Sequence, residues 1–111
     1  MRLILLSIAL TLIPDLYQIK GHPEVIEENG AYTRVALTDS ATLEVFQGDS
    51  ILVVMTVCAP QCSSCARIYN KEWQLIATPQ APFPSIFPLA TIENGRIVWK
   101  DNDTWSYQST L

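Results

Sequence analysis

The chain has 111 residues, 49% of them hydrophobic and 16% charged, and a formal net charge of −4. That length holds one domain, and the composition excludes a disordered, collagen-like or low-complexity chain. With seven Lys+Arg against eleven Asp+Glu, no basic stripe exists to displace counterions from phosphates, so nucleic acid is excluded as a partner.

Behind Met1 and Arg2, Leu3 to Ile13 form an uncharged apolar run of 11 residues, ended by Pro14 and Asp15. A spanning helix needs about 20 apolar residues, so the run predicts a secretory signal peptide over residues 1–21, with no stable membrane span once it is cleaved. The alternatives are an uncleaved anchor and a buried N-terminal strand or helix of the domain. Cleavage removes Arg2, Lys20 and Asp15, leaving five Lys+Arg against ten Asp+Glu, a net charge of −5. The secretory route implies the endoplasmic reticulum lumen or the extracellular space, where disulfides persist. Asn102-Asp103-Thr104 is an N-glycosylation acceptor pattern that suits the same route.

Residues 22–30 are acidic and broken by Pro23 and Gly30, which reads as a flexible lead-in to a domain over 31–111. Ala31 to Leu37 alternates apolar and polar residues and predicts a strand. Thr38, Asp39 or Ser40 offers an N-cap to a short helix ending at Gly48. Ser50 to Val57 is a continuous apolar run, the pattern of a strand buried on both faces. From Cys62 to Ala77, the spacing of Cys65, Ile68, Tyr69, Trp73 and Ile76 predicts a second helix. Four prolines between Thr78 and Pro88 exclude helix and central strand there. Leu89 to Lys100 reads as two short β runs about an Asn94-Gly95 turn. The order strand, helix, buried strand, helix, loop, hairpin predicts an α/β or α+β class with a small mixed sheet.

Cys58, Cys62 and Cys65 lie within eight residues. With Cys62 at the start of a helix, its dipole and unsatisfied N–H groups favour an anion there and make Cys62 the nucleophile of the pair, with Cys65 the resolving thiol. Residues 37–65 resemble the first half of a thioredoxin-family domain, and Ala59-Pro60-Gln61-Cys62-Ser63-Ser64-Cys65 is similar to the Ala-Pro-Trp-Cys-Gly-His-Cys of protein disulfide isomerase domains. Residues 83–100 resemble that family's cis-proline strand and terminal hairpin.

The resemblance implies a thioredoxin-like fold, a Cys62–Cys65 disulfide that opens and closes, and a substrate-binding cis-proline at Pro88 or Pro84, with Phe87 beside it. Departures accompany it. Gln61 replaces the usual tryptophan, Ser63 and Ser64 replace Gly-His, Thr56 stands where the family keeps a buried carboxylate, and Asn70 stands for a kinking proline. Only 22 residues separate Cys65 from Pro88, so the expected domain is truncated after the active-site helix and again at the C-terminus.

Three rival readings of the cysteines stand beside this one. The C-x3-C-x2-C spacing resembles a radical S-adenosylmethionine cluster motif, which demands a far larger barrel. A zinc site would need His22, 36 residues before Cys58, in the lead-in. The third reading is a permanent staple. The expectation is therefore a secretory thiol-disulfide oxidoreductase or isomerase acting on protein thiols and disulfides with a redox partner protein. It needs no organic cofactor and no metal, and Cys58 is available for a mixed disulfide. The alternative is a non-catalytic, chaperone-like binding module with a structural disulfide.

Overall fold

The structure is a computed structural model that describes residues 23–101 and the strand at 104–109. The predicted signal peptide, His22 and the Asn102 acceptor lie outside the described residues. Every regular element described is a strand: β1 Glu24–Asn29, β2 Tyr32–Thr38, β3 Ala41–Gln47, β4 Ile51–Cys58, β5 Cys62–Tyr69, β6 Leu75–Ala77, β7 Leu89–Glu93, β8 Arg96–Asp101 and β9 Thr104–Ser109. β1 to β6 form a six-stranded antiparallel meander in chain order, and β7 to β9 form a second antiparallel sheet. The α/β, thioredoxin-like expectation is overturned, since both predicted helices are strands and the sheet is antiparallel throughout.

The physical reason is clearest at β4. Its residues Ile51 to Met55 are all buried, so both its backbone edges need hydrogen-bonding partners that water cannot supply. The nearest segments are those on either side in sequence, each joined by a three-residue loop. Residues 41–47 and 62–69 therefore complete ladders with β4 rather than coil. The apolar positions 41, 43 and 45 fit a period of two as well as they fit a helix, and tertiary pairing decides. In β5, serine and cysteine bring little helix propensity to oppose this.

The second predicted helix also has a local break. Asn70 accepts backbone N–H bonds from Glu72 and Gln74 on its Oδ1, at 3.0 and 2.9 Å, and its own N–H donates to the Gln74 carbonyl at 3.0 Å. With Trp73 at φ 62°, this turns the chain from β5 into β6.

Residues 24–29, read as flexible lead-in, instead form the edge strand β1, with all six side chains exposed. The Asn94-Gly95 hairpin forms as predicted, both residues at positive φ (53° and 72°) between the paired Glu93 and Arg96.

The meander carries apolar side chains on both faces. One face gathers Val35, Leu37, Ala41, Leu43, Val45, Ile51, Val53, Met55 and Tyr69. The other gathers Leu52, Val54, Ala66 and Ile68 and packs against Ala90, Ile92, Ile97 and Trp99 of the second sheet. Strand β7 crosses this second face over β3, β4 and β5. The alternating period of β4 divides its odd residues from its even ones between the two clusters.

Candidate functional site

The cysteines follow from the β4–β5 register. Cys58 and Cys62 stand opposite each other across the Ala59-Pro60-Gln61 loop, their Cα atoms 3.8 Å apart, and they form the disulfide. Cys65 is an exposed free thiol. The expected Cys62–Cys65 bond is thereby corrected. Residues three apart on a strand are about 10 Å apart and point to opposite faces, whereas a disulfide needs Cα atoms within about 7 Å. The same spacing on a helix would have brought the two thiols close, so the change of secondary structure re-pairs the cysteines.

Beyond Tyr69, β6 supplies only three residues to the outer edge of β5, reaching Ile68 and Tyr69. The proline-rich segment 78–88 runs past the rest of that edge. Pro79, Pro82, Pro84 and Pro88 have no N–H to offer, so the segment cannot zip onto β5 as a strand. The Ser64 N–H donates to the Pro88 carbonyl at 2.8 Å across this gap. A groove of about 450 Å³ remains between them, walled by Ser64, Cys65 and Ala66 on one side and Phe83, Pro84 and Pro88 on the other, with the buried Trp99 also lining it. Ile86, 85% exposed, and Phe87, 44% exposed, stand beside it without lining it.

Of the residues expected at the site, Cys65, Pro84 and Pro88 therefore meet at one groove. Cys62 is turned away into its bond with Cys58, and Phe87 faces solvent. The cis peptide among the described residues joins Ala59 to Pro60, not the residues before Pro84 or Pro88. Phe83 and Ser64, which were not among the expected site residues, complete the groove together with Trp99. Only the folding of distant segments onto β5 could reveal them.

A second, polar cavity of about 280 Å³ opens between the two sheets, lined by Tyr32, Arg34, Glu44, Thr56, Thr91 and Lys100 among others. Glu44 is buried. It accepts the Tyr32 hydroxyl at 2.5 Å and the Thr91 hydroxyl at 3.0 and 2.9 Å on its two oxygens. Burial, then the hydrogen bond to Glu44 and its charge, push the Tyr32 phenol well above its usual pKa. The Thr56 and Ser64 hydroxyls share a 2.8 Å hydrogen bond, and Ser64 reaches the Ala90 carbonyl at 3.4 Å, linking this region to the groove edge. Among the described residues no group of three His, Cys, Asp or Glu gathers as a metal site would require.

No protein-family model, curated protein or solved structure matches the chain.

Proposed function

We propose that this chain is a disulfide-braced binding module that holds an extended, apolar segment of a protein partner in the groove along β5. The observation that carries the reading is the outer edge of β5 between Cys62 and Arg67. Among the described residues no strand pairs with it, and it faces a wall of prolines and Phe83. Recognition by strand addition uses such an edge for main-chain hydrogen bonds and the adjoining apolar wall for side-chain selection. The Cys58–Cys62 bond supports a brace rather than an exchange couple, because Cys65 lies on the opposite sheet face from Cys62. A bond of this kind persists outside the reducing cytosol, which supports a secretory-pathway location.

The test is selection from a displayed peptide library on the full chain, followed by NMR mapping of the best binder. The expected outcome is extended apolar peptides that shift the Ser64 to Arg67 amides most. Phe83→Ala should weaken binding tenfold or more, and Cys65→Ser, which keeps the size of a wall residue and removes its thiol, should weaken it far less. Shifts centred elsewhere, or no enrichment, would reject the groove. Binding that disappears with Cys65→Ser would favour thiol exchange over the groove.

A further inference from the structure

Strand β1 is an edge of the six-stranded sheet. Among the described residues it pairs with β2 alone, and all six of its side chains are exposed. Glu24, Glu27 and Glu28 make up half of it, and its register shifts between Val25 and Glu27. Charges and irregularities of this kind keep an edge from pairing with a second copy of itself, because like charges would then face each other. A basic segment meets the same edge without that repulsion.

A pocket of about 360 Å³ opens inboard of this strand, where Glu27 and Asn29 of β1 meet Tyr32 of β2, Phe46 of β3, and Ile92, Asn94 and Gly95 of the β7–β8 hairpin. Register explains the gathering. Asn29 stands opposite Tyr32 and Tyr32 opposite Phe46, so the three share one sheet face, with Glu27 two residues before Asn29 on the same side. The hairpin tip bears on this wall, since a Cβ on Gly95 would lie 3.1 Å from the Phe46 ring. Among the described residues that line the pocket, Glu27 alone is charged. Arg34, opposite Glu27 on β2, lines the adjoining polar cavity instead.

Two aromatic rings beside a carboxylate and two side-chain amides match an arginine side chain. Its guanidinium stacks on aromatic faces and offers five N–H donors, which the Glu27 carboxylate and the amide oxygens of Asn29 and Asn94 can accept. An acidic side chain would instead meet Glu27 as a like charge. A strand added to β1 would lie about 4.8 Å outside it, so a long side chain on this face has one strand to cross before it reaches the rings. We propose that β1 and this pocket form a docking site for a basic, extended segment of a partner protein, with an arginine side chain seated against Glu27, Tyr32 and Phe46. The inference does not depend on the groove along β5.

The experiment titrates the full chain, followed by NMR, with capped threonine-rich heptapeptides that carry arginine, citrulline or glutamate at alternate positions. The expected result is that the arginine peptide shifts the amides of residues 24–29 and 92–95. The citrulline peptide, neutral and of nearly the same shape, should bind about tenfold more weakly, and the glutamate peptide should not bind. Glu27→Gln should weaken the arginine peptide about tenfold with Tm within about 1 °C of the parent chain, and Glu24→Gln, outside the pocket lining, should weaken it less. Equal affinity for arginine and citrulline, equal effects of the two substitutions, or no binding by any peptide would overturn the proposal. Shifts confined to residues 64–67 would overturn it while leaving the β5 groove standing. Dimerisation of the free chain through β1 would overturn it as well, since a second copy would then be the occupant.

Discussion

Tyr32 on β2, Glu44 on β3 and Thr91 on β7 tie the two sheets together through one carboxylate. A buried acceptor of this kind is costly to leave unpaired, so its partners hold the sheets in register as well as in contact. The raised pKa of Tyr32 adds a pH dependence whose sign follows directly. The unfolded phenol ionises near 10.0 while the folded one resists, so this contribution is fully present below that pH and is lost as pH rises toward the folded value. Stability of the full chain, followed by urea unfolding from pH 8 to 11, should fall more steeply above pH 10 than in Tyr32→Phe. Parallel curves would show that the phenol is not coupled to folding.

Turns set the register of the strand ladders. Gly95 sits at φ 72°, and a Cβ there would lie 3.1 Å from the Phe46 ring, so the tip of the β7–β8 hairpin is fitted onto the first sheet. Gly30, in the β1–β2 turn at φ 62°, would meet nothing within 4 Å. Both substitutions to alanine carry the left-handed backbone cost of roughly 1–2 kcal/mol, and only Gly95→Ala must also displace an aromatic ring. Chemical denaturation should therefore rank Gly95→Ala as clearly more destabilising than Gly30→Ala. Equal losses would mean that the hairpin tip does not bear on Phe46.

For the whole molecule, the Cys58–Cys62 bond closes a loop with a sequence separation of only four. Loop-closure entropy for so short a ring is worth about 2 kcal/mol, a large part of the 5–15 kcal/mol typical of a domain. Cys58→Ser should cost about that amount in denaturant unfolding. Cys65→Ser, at an exposed position, should stay within about 0.5 kcal/mol. The reverse ranking would restore the Cys62–Cys65 pairing. The same unfolding curves, read for cooperativity, would show whether the two sheets melt together, as their shared cluster under β7 requires.

The features legible in the sequence were those fixed by neighbours in the chain. The Asn94-Gly95 turn needs only two residues that tolerate positive φ, the strand at 32–38 shows its period in its own residues, and the run Ile51 to Met55 is too apolar to lie anywhere but inside. Four prolines likewise fixed 78–88 as irregular and brought Pro84 and Pro88 to the groove wall. The tertiary structure decided the rest. Residues 41–47 and 62–69 carry patterns that satisfy a helix or a strand, and the unpaired edges of β4 chose the strand. Once residues 62–69 were extended, period-two geometry separated Cys62 from Cys65, placed Cys62 opposite Cys58, and turned an expected reactive pair into a hairpin brace.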